Sequence, residues 1–342
     1  MTTNTLKIGI VGCGLVARTH ISAIRRIRNA ELVAICDVNQ GLAEEMAGRF
    51  NLGSYYAGLP ELLSAAEVDV VHVTTPPRTH LSVCTQAMEA GCHVLVEKPL
   101  ALTVDDADKM IGTARSEKVR LCAVHNMRFA PMVLKARAMV GKGLIGDIVG
   151  MNITDCLPRD GDLMRNKQHW CHRLPGAIFG EMLPHPIYLA MHFLGKLDTT
   201  TVYARRVGGE SLAADELRVT LTGKAGIATI VASVNGPSDV LALDVFGTEG
   251  SLHLQNGVVV RHFPTRTALA SRGTENLLTA AQWLVGTASA ALRAATGRYH
   301  DGHRTQIERF VNALQKDTEL PVSLDEAREA TRLYQEITTR IG

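Results

Sequence analysis

The clearest chemical device in the chain is Gly12-Cys13-Gly14-Leu15-Val16-Ala17, which follows the apolar run Leu6–Val11 and opens a helical pattern. Gly12 would make a tight turn and Gly14 would let the backbone approach a pyrophosphate. Ala17, in the third small position, permits close packing of helix on sheet. The helix start at Leu15 and Val16 then offers N–H groups and a positive dipole end to phosphates. Asp37 ends the second apolar run, Val33-Ala34-Ile35-Cys36, near the ~20-residue offset of a ribose-binding carboxylate. Such a carboxylate accepts hydrogen bonds from the 2′- and 3′-hydroxyls and repels a 2′-phosphate, which favours NAD over NADP.

A second device, Glu97-Lys98-Pro99, closes the apolar run His93–Val96. Ligands of open α/β sheets bind beyond the carboxyl ends of the strands, where this tripeptide would sit. A lysine placed there, beside a nicotinamide ring, would hydrogen-bond a substrate hydroxyl and stabilise a developing alkoxide. Farther on, Arg159–Arg173 is dense in donors. Arg159, Arg165, His169 and Trp170 suit sugar hydroxyls, a carboxylate or a phosphate, with the indole stacked on a sugar face; a solvated loop is the equal alternative for each. His169, Cys171, His172, Glu181, His185 and His192 are ligand types for zinc. None has the compact paired spacing of a structural site, so no metal is expected.

Elements must position these groups. Strand patterns fall at Leu6–Val11, Glu31–Cys36, Val68–Val73, His93–Val96 and Arg120–Val124, with helical patterns near Ala17–Arg28, Gln40–Arg49, Thr79–Ala90 and Val104–Glu117. Apolar strands alternating with helices predict a doubly wound parallel sheet over residues 1–125. From residue 126 to 342 strand runs follow one another: Ile148–Thr154, Thr201–Arg206, Glu216–Thr222, Ile227–Val234, Ala242–Gly247, Ser251–Leu254 and Val258–His262. Gly-containing turns between them predict an α+β domain with a large, mostly antiparallel open sheet. Helical patterns at Ile187–Leu194, Glu275–Ala295, His303–Lys316 and Leu324–Ile341 complete it.

Bulk properties narrow the classes. The 342 residues are 46% hydrophobic and 20% charged, and 36 basic against 34 acidic side chains leave a formal charge of +2. With no block of like charge, neither a nucleic-acid groove nor a polybasic membrane anchor is expected. Seven dispersed cysteines without a C-x-x-C pair fit reduced thiols better than a disulfide framework. The start of the chain runs straight into a strand, so a signal peptide is not expected and the protein reads as cytoplasmic. Asn276–Leu292 carries no charge, but falls short of the ~20 apolar residues of a membrane span. That stretch would cover a site, form a subunit contact or simply pack.

Thr74-Thr75-Pro76-Pro77-Arg78-Thr79-His80, and Ala87-Met88-Glu89-Ala90-Gly91-Cys92-His93-Val94-Leu95-Val96-Glu97-Lys98-Pro99, together with the glycine loop, resemble the glucose–fructose oxidoreductase/inositol dehydrogenase family (Gfo/Idh/MocA). The resemblance runs from Lys7 to the C-terminal helices and is weakest between Pro264 and Gly302. It implies a nicotinamide cofactor bound by Gly12, Gly14, Leu15, Val16, Ala17, Asp37, Thr75, Pro76, His80, Glu97, Lys98 and Asn126, and a cis Lys98–Pro99 bond. His125-Asn126-Met127-Arg128-Phe129-Ala130-Pro131 resembles the family's N-x-R-F-x-P segment, with Arg128 either near the site or structural. His185 matches the family's acid/base histidine, and Glu181 stands where the family has aspartate, one methylene shorter. Pro184 and Pro186 flank His185 and would break or kink a helix shared by the two. With Lys98, His185 and Glu181 catalytic, the implied reaction moves a hydride between the cofactor and a secondary hydroxyl or ketone of a sugar, glycoside or cyclitol. A redox-neutral, NAD-retaining glycoside-cleaving enzyme and a non-catalytic NAD-binding regulator are the alternatives. A homodimer or homotetramer is implied.

Overall fold

A computed structural model describes residues 5–208, 212–264, 269–297 and 302–341. The chain divides into two compact units, Met1–Asn126 with Gly302–Arg332, and Met127–Asp301 with Leu333–Gly342. The pattern change near residue 125 is thus the first of three crossings, since the chain re-enters the first unit at Gly302 and leaves it again after Arg332.

In the first unit, strands and helices alternate: β1 (Leu6–Val11), α1 (Leu15–Ile24), β2 (Ala30–Cys36), α2 (Gln40–Phe50), β3 (Tyr55–Tyr56), α3 (Leu59–Ala65), β4 (Val70–Val73), α4 (His80–Glu89), β5 (His93–Val96), α5 (Val104–Ser116) and β6 (Leu121–Ala123). All pairings are parallel, in the order β3-β2-β1-β4-β5-β6. Every residue of β4 is buried, as a strand covered on both faces requires. Thr103 caps α5 by accepting the Asp106 N–H, ahead of an acid-rich first turn. The order reverses between β1 and β4, which brings the loops after Val11 and Val73 side by side at the carboxyl edge.

The second unit holds α6 (Pro131–Gly141), β7 (Ile148–Pro158), α7 (Asp162–Arg165), α8 (Ile178–Met182), α9 (Pro184–Leu194), β8 (Leu197–Arg205), β9 (Glu216–Gly223), β10 (Gly226–Gly236), β11 (Val240–Gly247), β12 (Gly250–Gln255), β13 (Val258–His262) and α10 (Leu269–Ala295). Its seven-stranded sheet runs β13-β12-β11-β7-β10-β9-β8. Only β10 and β7 pair in parallel; the other neighbours are antiparallel. The last helices are α11 (His303–Lys316), in the first unit, and α12 (Leu324–Thr339), which passes from the first unit to the second. No helix among the described residues is long and apolar enough to cross a membrane.

Each sheet has one edge closed by a glutamine. Buried Gln306 of α11 accepts the His125 N–H and donates to the Ala123 carbonyl, just past and at the end of edge strand β6. Gln282 of α10 does the same for Arg261 of edge strand β13, with both contacts at 2.9 Å. A primary amide thereby satisfies the donor and acceptor that a further strand would have taken.

Candidate active site

The glycine loop has the shape its residues predict. Gly12 sits at φ +97°, and a Cβ there would lie 2.9 Å from the Thr74 carbonyl and from Thr75 Cγ2. Gly14 precedes α1, has nothing within 4 Å of its Cβ position and leaves the helix without a side-chain cap. Leu15 is exposed, Val16 half-buried and Ala17 fully buried against the sheet. Asp37 accepts the Cys13 N–H at 2.7 Å and the Asn39 N–H at 2.8 Å, which ties the end of β2 to the loop. An open approach to backbone N–H groups beside a carboxylate is the donor–acceptor set a dinucleotide needs, so these residues fit a nicotinamide dinucleotide. Gly12→Ala should cost about 1–3 kcal/mol of stability through backbone strain alone. Loss of NADH binding in a fluorescence titration would accompany it.

Around the loop, the Thr74 hydroxyl donates to the Gly12 carbonyl at 2.6 Å. Thr75 and Pro76 lie half-buried at the carboxyl edge, and Thr79 donates to both the Thr75 hydroxyl and the Pro76 carbonyl. His80 is completely buried, with Nδ1 2.9 Å from the Pro99 carbonyl and Nε2 3.0 Å from that of Thr75. The ring thus lies between the turn after β4 and the turn after β5 and, as a neutral imidazole, donates to one of the two carbonyls. The Lys98–Pro99 bond is cis. Lys98 is half-buried and Asn126 buried, each just past the end of its strand.

Glu97 is held by a network absent from the sequence reading. Its Oε1 lies 2.9 Å from His20 Nε2 and 3.2 Å from His303 Nε2, while Oε2 accepts the Lys98 N–H at 3.2 Å. Burial alone would raise its pKa, but hydrogen bonds from the two imidazoles hold it well below the usual carboxylate range. His20 Nδ1 in turn meets His72 Nδ1 at 3.0 Å. With neutral rings, only one proton order works: His72 Nδ1–H to His20, then His20 Nε2–H to Glu97. His72 Nε2 is left a buried acceptor with no hydrogen-bond partner among the described residues. His20, Glu97 and His303 are also the three side chains whose metal-ligating atoms gather within 4.8 Å. The six residues from His169 to His192 form no such group among the described residues.

Burial depresses His72, His80 and, to about 3, His192, so the folded protein keeps them neutral where the unfolded chain would bind protons. Their stabilisation is complete above the unfolded pKa of about 6.5 and is lost as pH falls below it. Thermal melts should be level from pH 8 to 7 and decline between pH 6.5 and 5. A flat profile to pH 5 would contradict the burial argument.

In the second unit, α8 and α9 meet at Leu183, which has helical φ −55° and ψ −33°. The prolines are accommodated by splitting the helix there, and Pro184 occupies the first position of α9. Glu181 and His185 are half-buried, on the two successive helices. Tyr188, one turn on, places its hydroxyl 2.7 Å from His185 Nδ1 and accepts the Met127 N–H. Sequence reading missed Tyr188, although its i,i+3 spacing from His185 was the available signal. Ala177, just before α8, has φ +50° and ψ −127°, a strained conformation for a residue with a Cβ. Gly180 is required by packing, since a Cβ would meet the Pro175 carbonyl at 2.4 Å and the Tyr334 hydroxyl at 2.9 Å.

The donor-rich segment separates into parts. Arg159 donates to the Gly208 carbonyl at 3.0 Å, and Arg165 lies exposed near Asp160. The His169 and Trp170 rings are 5.0 Å apart, and burial lowers the His169 pKa while the Glu181 charge opposes it. Glu181 thus lies within electrostatic reach of His169. All seven cysteines are free thiols, six of them buried, and burial lifts Cys13 and Cys36 to about 12.

The chain is similar to known proteins throughout. Residues 6–125 match the model of an oxidoreductase family with an NAD-binding Rossmann fold, and residues 133–253 match a GFO/IDH/MocA C-terminal domain. Inositol 2-dehydrogenase of Rhizobium meliloti is 23% identical over 336 residues, covering 96% of this chain and 94% of its own length. D-glucoside 3-dehydrogenase of Escherichia coli is 36% identical over 149 residues, 43% of this chain and 42% of its own. The WlbA dehydrogenase of Bordetella pertussis, solved with NADH and UDP-GlcNAcA, shares the fold with a TM-score of 0.78 at 18% identity, covering 98% of this chain and 95% of its own. The chain therefore belongs to the Gfo/Idh/MocA family of NAD-binding oxidoreductases and is a dehydrogenase of CH–OH groups.

Proposed function

We propose that the protein is an NAD-dependent dehydrogenase acting on a secondary hydroxyl of a sugar, glycoside or cyclitol. The observation that carries this reading is the carboxyl edge of the parallel sheet, where the open Gly14 turn, the Asp37 carboxylate and Lys98 share one rim. Relatives named for inositol and D-glucoside support a polyhydroxylated substrate. Bound NAD supplies the hydride acceptor and donor. Asp37, with no basic residue within two positions on either side, supports NAD rather than NADP.

In this reading the Lys98 ammonium donates to the substrate oxygen and stabilises negative charge as it develops there. His185 takes the hydroxyl proton. The Tyr188 hydroxyl, 2.7 Å from Nδ1, orients the ring for that transfer. Glu181 favours the imidazolium electrostatically, and Arg159, Arg165, His169 and Trp170 contact the remaining hydroxyls. Thr75, Pro76, His80, Glu97 and Asn126 shape the cofactor rim, His80 and Glu97 from beneath it. The reduced, mostly buried thiols support a cytoplasmic enzyme, working as a homodimer or homotetramer. The test is absorbance at ~340 nm with NAD⁺ and a panel of sugars, glycosides and cyclitols, repeated with NADP⁺. A rise confined to NAD⁺ is expected. No rise with any substrate overturns the reading, and glycoside cleavage without net NADH would replace it with a redox-neutral one.

A further inference from the structure

Helix α10 turns charged side chains inward and most of its large aliphatic ones outward. Its inward side carries its charged and amide anchors alongside Trp283, which lies 5.6 Å from the His253 ring: Glu275 pairs with His262 at 3.0 Å, Gln282 holds the edge of β13, and Arg293 donates to the Gly257 carbonyl at 3.3 Å. Gly286 lets the helix come close, since a Cβ would meet Val258 Cγ1 at 2.5 Å. The outward side is apolar and free of charge from Asn276 to Leu292. Leu277, Leu278, Leu284, Val285 and Leu292 are each between 52% and 74% exposed, and Ala281, Ala288 and Ala295 lie exposed among them. A helix that turns charged and amide groups to its own domain and leucines outward is built to be covered.

The spacing identifies the cover. Leu278, Val285 and Leu292 recur every seven residues, and Ala281, Ala288 and Ala295 recur every seven residues three positions later. This is a heptad seam with large side chains at one core position and alanine at the other. A parallel pair would stack Leu on Leu and Ala on Ala, so its layers would demand alternately wide and narrow helix separations. An antiparallel pair of the same helix instead sets Leu278 against Ala295, Val285 against Ala288 and Leu292 against Ala281. Each layer then holds one large and one small side chain, at a single close separation. The sequence is complementary to its own reverse about a point between Gly286 and Thr287, which is the requirement of an isologous two-fold contact. With Leu277 and Leu284 flanking the seam, each copy contributes on the order of 700 Å² of apolar surface, close to the ~800 Å² per partner of a standard stable interface.

We propose that α10 is a self-association surface that pairs two copies of this chain antiparallel through the Leu278–Ala295 seam. The reading stands apart from the proposed enzymatic activity, since it uses no residue assigned to cofactor or substrate. Two variants test it on the full-length protein. Val285→Asp places a charge at the centre of the seam but on a surface exposed in the single chain, so the chain should fold. Its mass by light scattering should fall to half that of the unsubstituted protein, with NADH binding unchanged. Leu278→Cys combined with Ala295→Cys should give a covalent dimer on mild oxidation with diamide. Leu278→Cys alone should not, because the two copies of position 278 lie about 25 Å apart in the antiparallel register. Unchanged mass for Val285→Asp together with no cross-link in the double variant overturns the proposal. So does binding to phosphatidylcholine–phosphatidylglycerol vesicles that Val285→Asp abolishes without altering mass, which would assign the face to a membrane surface. A cross-link from Leu278→Cys alone would overturn the antiparallel register.

Discussion

Lys98→Met will lower kcat/KM by roughly 10²–10⁴-fold on whichever polyol the enzyme oxidises, the range for loss of a positioned proton-transfer or oxyanion group. Methionine keeps most of the length and apolar stem of lysine and removes only the ammonium. Melting temperature should therefore change little, and that separates a catalytic loss from a folding one. The fall should appear in kcat as well as in kcat/KM, because the ammonium acts on charge that develops during the reaction. Activity within about threefold of the parent would remove Lys98 from the mechanism.

The second large effect is on stability. Glu97→Ala leaves His20, His303 and the Lys98 N–H facing a buried space without their shared acceptor. Removing one member of a buried charged network costs about 3–5 kcal/mol, which corresponds to a fall of about 4–7 °C in the melting temperature of a protein of this size. The carboxyl is held below its ordinary pKa, so its contribution is present above about pH 4.5 and disappears as pH falls through its folded value. The gap between parent and variant should thus narrow in acid. Glu97→Gln, which retains one acceptor oxygen, should fall between them. A Glu97→Ala protein that melts within a degree or two of the parent would mean the network contributes little.

These two residues show what the sequence made legible. Lys98 could be read because its value lies in the end of a strand, and strand ends follow from apolar runs and glycine turns. Asp37 and Gly12 were readable for the same reason, as local chain positions with a fixed spacing. Glu97 was visible as part of a motif, but its partners were not. His303 lies 206 residues away and enters through the packing of α11 on α1, which no local pattern encodes. Tyr188 stayed hidden because the prolines around His185 made the local helix register ambiguous. The two-residue strand β3 was too short to show periodicity. Helix α10 was seen as a helix that would cover a site, form a subunit contact or simply pack; only its pairing with β13 revealed which side is inside.

The glutamine-closed edges bear on how the protein ages. An unpaired strand edge recruits other strands, and here two neutral amides stand in the way, one per sheet. Deamidation of Gln306 or Gln282 to glutamate would replace the donating NH₂ with a carboxylate oxygen, facing the carbonyl of Ala123 or of Arg261. The contact at that edge would then be repulsive rather than closing. The closure of these two edges therefore rests on the chemical permanence of two side-chain amides, and burial of Gln306 protects the first of them from hydrolysis.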